Sequence, residues 1–303
     1  MERIPTKIIA MGQSPEVDDT PFVPLTFTAE QANSTVQLTK VGSPADVSLS
    51  VSYNDGKTWS AYTVGDTITL SSVGDKVCFA ASSGVTNTTF ASSTSAYHKF
   101  VMTGEIAASG DIASLTLNKY LYRENVISRN YCYYNMFSDC TSLTTAPALP
   151  ATGLAQNCYE KMFYNCTSLT TAPALPATTL AQYCYRNMFN GCTSLTTAPA
   201  LPATGLAETC YYSMFQGCTA LLTAPALPAT GLVSNCYYYM FYGCTNLNWV
   251  EVGITSWLSG ATNNWLSGVS STGTFRCPAT LGDNSTITRG ASNCPTNWTV
   301  VNI

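Results

Sequence analysis

Charge is what this chain of 303 residues has least of: Asp, Glu, Lys and Arg make up 10% of it, against about a quarter in ordinary globular proteins. With 13 basic and 17 acidic side chains and a net charge of -4, it offers no basic footprint for a nucleic-acid backbone or a polybasic membrane contact. Long apolar runs are missing too. None approaches the ~18 residues a spanning helix needs, so no membrane insertion is expected. The opening stretch "MERIPTKIIAMGQSPEVDDTPF" has an apolar patch only from Ile8 to Met11, short of the ~7-residue core of a secretory signal. The expectation is a chain not exported by that route, or one lacking its leader. Histidine occurs once, as His98 in a Ser- and Tyr-rich stretch, and is expected at the surface or a strand end rather than as a base. No GxSxG, HExxH, phosphate-binding loop or dinucleotide fingerprint occurs. Neither an enzyme nor a cofactor is expected.

Against these absences stands a repeat. Cys132, Cys158, Cys184, Cys210 and Cys236 are each 26 residues apart, and so are Cys140, Cys166, Cys192, Cys218 and Cys244. Met-Phe recurs at 136, 162, 188, 214 and 240, and Leu at 143, 169, 195, 221 and 247. A period this regular signals stacked units, each touching only its neighbours. Within a unit, Leu154, Cys158 and Met162 are four apart, as are Ala155, Tyr159 and Phe163. Two such columns form an apolar stripe about 100° wide, which predicts a helix docked on a core. Thr152, Thr178, Thr204 and Thr230 precede the stripe where an N-cap is wanted. Asp139, Asn165, Gly191, Gly217 and Gly243 sit just before the second Cys and tolerate the left-handed conformation that ends a helix. The following "CTSLTTA" reads as a short strand, and the prolines of "APALP", lacking an N–H, end its pairing. The predicted fold class is α+β: an N-terminal antiparallel β-sandwich, then a solenoid whose parallel sheet carries helices on its opposite side.

The pattern MF-x-x-C-x-x-L-x-x-A-P-x-L-P resembles the BspA-like leucine-rich repeats of gut bacteria and their phages, with Met in place of the usual Ala before Phe. The resemblance covers about residues 112–303 and implies an arc-shaped leucine-rich-repeat solenoid used for binding, not catalysis. "IASLTLNKYLYRENVISRNY" reads as a degenerate first repeat with Leu117 in the Leu column. "WVEVGI", "TGTFRC" and "WTVV" read as final rungs, and the doubled "WLSG" at 257 and 265 as a covering segment, since terminal repeats need caps.

The 13 cysteines do not read as bridges or metal ligands. Along a helix Cys158 and Cys166 lie farther apart than the ~7 Å that bridged Cα atoms allow. Zinc spacings of C-x2-4-C, or a His partner, are missing. Each column cysteine is expected to be a small buried apolar residue among its own kind.

Residues 22–111 alternate in period two ("TVQLTK", "VSLSVSY", "TITLSS", "KVCFAAS", "HKFVMTGEI") between turn residues, which predicts a small Ig-like antiparallel β-sandwich. Before it, residues 1–21 are expected as an extended N-terminal arm. After it, residues 112–303 form the repeat array and its C-terminal cap. "SYNDGKTW" places Asp-Gly at a hairpin tip. It also fits the Asp-box shape, of which sialidases carry several. One copy, with Asn54 in the Asp place, makes it a fold element and leaves a glycan-active enzyme the least favoured reading.

The five repeats contain only Asp139, Glu160, Lys161, Arg186 and Glu208 as charges, all expected on the exposed side of the helix stripe or at its cap. Two surfaces repeat. Thr145, Thr171 and Thr197, beside Thr144, Thr170 and Thr196, form hydroxyl ladders on the strand face. Tyr134, Tyr164, Tyr212, Tyr238 and Tyr242 fall on the predicted exposed helix face. Uncharged aromatic and hydroxyl groups suit neutral glycans, by stacking and hydrogen bonding. The bland alternative is that Thr favours strands anyway and Tyr only keeps a surface soluble. The expectation is a non-enzymatic structural and adhesion protein: a phage virion fibre or decoration component at the virion surface. Its expected partners are other virion or cell-surface proteins and bacterial surface glycans, and it is expected to be homo-oligomeric, as fibres are. A bacterial cell-surface adhesin is the alternative.

Overall fold

The computed structural model describes residues 22–87, 89–116 and 126–303; the expected arm over 1–21 and the Leu117 position lie outside the described residues. In the N-terminal part the period-two alternation becomes strands. Leu25, Phe27 and Ala29 of β1 (Leu25–Ala29) and Val36 and Leu38 of β2 (Ser34–Val41) point inward, with partly exposed residues between them. There follow β3 (Leu49–Ser52), β4 (Ser60–Tyr62), β5 (Thr67–Leu70), β6 (Lys76–Ala81), β7 (Ala91–Ser93), β8 (Ala96–Thr103) and β9 (Ile106–Ser109). Strands β5, β2, β8 and β7 make one antiparallel sheet. The second runs β10, β9, β1, β6, β3, β4, its first member being β10 (Leu143–Thr145) from the first repeat, paired parallel to β9. The sheets meet over phenylalanines: Phe27 lies 4.8 Å from Phe100 and Phe79 lies 5.4 Å from Phe100, ring centre to ring centre and edge to face. The first two strands of an immunoglobulin fold share a sheet, whereas β1 and β2 here lie in different sheets. The Ig-like expectation is therefore not met. The "SYNDGKTW" stretch is a self-bonded turn: Asp55 and Gly56 have φ of 54° and 79°, and the Ser52 hydroxyl accepts from the Gly56 N–H at 2.9 Å.

The repeats overturn the predicted fold class. Where a helix was expected over 154–165 the chain makes successive tight turns, and the same holds in every copy. The reason is a left-handed residue at every fourth position: Asn157, Lys161 and Asn165 have φ of 58°, 56° and 57°. Asn187 and Gly191 continue this one coil on, Gly217 and Gly243 after that. An α-helix tolerates none of these, whereas Asn, Asp and Gly reach the left-handed region at little cost.

The backbone bonds divide accordingly. Cys158, Glu160, Met162, Tyr164 and Cys166 donate their N–H three residues back, closing turns within the coil at 3.1–3.3 Å. The alternate residues Asn157, Tyr159, Lys161, Phe163 and Asn165 donate to the carbonyls of Gln182, Cys184, Arg186, Met188 and Asn190 in the next coil, at 2.8–3.1 Å. Every amide from 157 to 166 is satisfied, half of them by the next coil. The expected long parallel sheet shrinks as well. Beyond β10 the Thr columns meet only at single bridges, Thr145 to Thr171 and Thr171 to Thr197. Pro147, Pro150 and their equivalents supply no N–H to extend the pairing. Thr152, Thr178, Thr204 and Thr230 have no helix to cap.

The stack begins on the N-terminal sheets. Phe90 and Phe100 donate their N–H to the carbonyls of Cys132 and Met136, as one coil does to the next. At the other end, β11 (Trp249–Glu251), β12 (Thr274–Cys277) and β13 (Thr299–Asn302) form a parallel three-stranded sheet in register at 249, 274 and 299. The second "WLSG" is a rung itself, since Phe241 donates to the Trp265 carbonyl at 2.9 Å and Gly268 repeats the left-handed φ at 75°. On the outer side of β13 the Asn284 amide takes the place of a strand, accepting from the Val300 N–H at 2.7 Å and donating to its carbonyl at 3.1 Å.

Gly217→Ala tests the left-handed ladder. An added Cβ would stand 3.9 Å from the backbone of Gly191, an ordinary contact, so only the φ of 73° opposes it. Unfolding by denaturant should show a loss of about 1–2 kcal/mol, and Gly217→Asn a smaller one. An unchanged midpoint for Gly217→Ala would contradict the turn geometry.

Candidate functional site

Stacking at a fixed period brings like residues into columns, and the inward columns are sealed. Tyr133, Tyr159, Tyr185, Tyr211 and Tyr237 stack at 5.7–6.0 Å, with Trp265 next in line. Phe100, Phe137, Phe163, Phe189, Phe215 and Phe241 stack at 5.4–5.6 Å. All 13 cysteines are free and buried. The thiols of Cys166, Cys192 and Cys218 each donate at 3.1 Å to the carbonyl of the Phe 29 residues earlier, in the preceding coil. Burial pushes the Cys140 and Cys192 thiols up to about 12, so no nucleophilic thiolate forms near neutrality.

One column holds two of the five charges in the repeats. It runs Tyr134, Glu160, Arg186, Tyr212, Tyr238, one residue per coil. Glu160, expected exposed, is 2% exposed. Its carboxylate accepts from the Asn157 amide and from the Arg186 guanidinium, the latter at 3.4 Å. Arg186 in turn lies over the rings of Tyr212 and Tyr183, at 5.2 and 5.6 Å. Burial raises the Glu160 carboxyl above its ordinary range, while Asn157 and Arg186 pull it down. This is a clasp along the column, not an acid–base pair facing a substrate.

The predicted site residues separate on this geometry. Tyr134 is 2% exposed, packed at 5.4 Å against Tyr97, and is withdrawn from any surface. Tyr164 is half-buried. Tyr212 and Tyr238 lie together, parallel at 4.9 Å, with Tyr242 beside them at 42% exposure. Tyr239 joins that group, though the sequence reading passed over it. Its signal was the run Tyr237, Tyr238, Tyr239, which a helix would have fanned round its axis. On the other face Thr145 is half-buried and donates at 2.9 Å to the Ala108 carbonyl of β9, whereas Thr171 and Thr197 are exposed. Thr170 and Thr196 donate at 3.4 Å to the carbonyls of Thr144 and Thr170, so part of the hydroxyl ladder holds coils together.

His98, expected at the surface, is fully buried in β8, its Nδ1 3.0 Å from the Phe90 carbonyl. Burial holds its pKa below the usual imidazole value. A cavity of about 240 Å³ opens where the N-terminal sheets meet the first coils, lined by Asn87, Thr116, Arg129, Cys132, Tyr133 and Tyr159 among others. Thr116 and Tyr133 bond each other there through their hydroxyls at 3.0 Å. Among the described residues no three of His, Cys, Asp and Glu converge as a metal site would require.

A family profile described as "BspA type Leucine rich repeat region" matches in 6 copies, over residues 67–196, 129–248 and 156–282. No curated protein and no solved structure matches the chain.

Asp111 gives a pH dependence. Its carboxylate accepts from the Ala113 N–H at 2.8 Å at the start of a 3-10 turn (Ile112–Leu115), yet burial raises its pKa from 3.8 to about 6. The folded state therefore holds a proton that the unfolded chain has lost, and stability falls as pH rises from about 4 to 6. Asp111→Asn keeps the acceptor and should flatten that fall in thermal melts across this window. An unaltered pH profile would contradict the assignment.

Proposed function

Because the chain belongs to the BspA-type leucine-rich repeat family, whose repeats are of a surface or adhesion type and non-catalytic, we propose that it is an adhesion component of a phage virion, displayed as part of a fibre or decoration. Its partners are other virion proteins on one side and a bacterial surface on the other. The observation that carries the virion assignment is the set of 13 free, buried thiols. A chain exported through an oxidising compartment risks bridging such thiols before they are sealed, whereas a virion protein folds in the reducing interior of its host and leaves by lysis. The rest of the surface fits display: the net charge is only -4, and in the repeats Glu160 and Arg186 pair with each other.

The reading is tested by mass spectrometry on purified phage particles and on washed cell envelopes from the same source culture. The chain should co-purify with particles. Recovery from envelopes of uninfected cells would instead make it a bacterial surface adhesin.

A further inference from the structure

The last complete coils carry a cluster of four tyrosines, larger than the group of Tyr131 and Tyr134 with Tyr97 at the first coil. Tyr212 and Tyr238 stack at 4.9 Å and 7°; Tyr239 meets Tyr238 edge-on at 4.5 Å and Tyr242 at 5.2 Å. Tyr239 occupies the left-handed turn position, φ 53°, that Asn135, Lys161, Asn187 and Ser213 fill in other coils. Along the chain no Asp, Glu, Lys, Arg or His occurs between Glu208 and Glu251, and one cation, Arg186, lies against the cluster over the Tyr212 ring. The nearest cation in the column, Arg186, is already paired with Glu160.

We propose that Tyr212, Tyr238, Tyr239 and Tyr242 form a binding platform for neutral, hexose-containing glycans. This deepens the adhesion reading and rests on it. A pyranose ring presents an apolar C–H face, which packs on an aromatic face, and a rim of hydroxyls, which pair with phenol hydroxyls. Because the rings brace one another, little side-chain freedom is lost when a ligand settles. With the neighbouring Arg186 already paired with Glu160, the surface suits a neutral sugar and offers an anionic one no free cation. Single contacts of this kind are weak, and several copies on one particle would make them effective together.

The full chain is applied to an immobilised array of neutral gluco-, galacto-, manno- and N-acetylglucosamine oligosaccharides with sialylated and sulfated counterparts, and in parallel to whole bacteria of the source culture. Neutral glycans should bind, and Tyr238→Ala and Tyr242→Ala should each weaken binding by about tenfold or more. Tyr242→Phe, which keeps the ring, should weaken it less. Unaltered thermal melts establish that the variants are folded. The platform is refuted if no neutral glycan binds, if only charged glycans bind, or if the Ala variants bind as well as the parent. Cells held equally by parent and Tyr242→Ala would refute the platform while leaving adhesion standing. Cells not held by the parent at all would remove the adhesion reading itself. Loss of cell binding without any binding to the array would point to a protein partner and overturn the glycan assignment.

Discussion

Alternate amides in each coil point to different partners, and everything else in the repeats depends on that division. With a left-handed residue at every fourth position, one N–H closes a turn at home and the next reaches the coil beyond. The coils cannot slide, because a shift of one residue would aim the outward donors at turns already closed. Fixed register piles each side chain on its own copy, which is why two aromatic files and two files of thiols run through the core. Aligned rings of this kind contribute about 0.5–1.5 kcal/mol per pair beyond the area they bury. The thiols fit between them as small apolar residues, and those of the file that includes Cys166 and Cys192 also bond a carbonyl of the preceding coil.

A stack of this sort has two ends that must be closed. At the start, the N-terminal sheets do more than cover it. Phe100 of β8 heads the phenylalanine file, β9 pairs with β10, and Cys140 donates its thiol to the Phe100 carbonyl at 3.1 Å. The boundary expected near residue 111 is therefore crossed by one continuous core. At the far end Arg289 ties the last loop by donating to the carbonyls of Pro295, Trp298 and Asn284, and Asn284 occupies the open edge of β13.

Much of this was written in the sequence in a form that invites one misreading. The period of 26, the buried columns and the late rungs at 249, 274 and 299 are direct consequences of spacing. The helix was not there, and the residues said so. Leu154, Cys158, Met162 and Cys166 step by four without a single step of three, a spacing that drifts about 40° per step round a helix. Asn157 and Asn165 carry, eight residues apart, the residue type taken as a helix stop only at its last occurrence. Glu160, Tyr134 and His98 were misplaced for a different reason. Their burial is set by partners in adjacent coils or strands (Arg186, Tyr97, Phe90), which no pattern local to one unit reveals.

Function follows from what such a stack leaves outside. Its thiols face inward and its buried carboxylate pairs along a column, while its outer faces carry hydroxyl, amide and phenol groups with few charges. The account therefore rests on files of dry, unbridged thiols inside stacked coils, and alkylation of those thiols with a small reagent, before and after unfolding without reductant, tests it most directly. The ten column cysteines should resist labelling in the folded chain, and all 13 should label once it is unfolded. Rapid labelling of the folded columns, or fewer than 13 thiols in the unfolded chain, would contradict it.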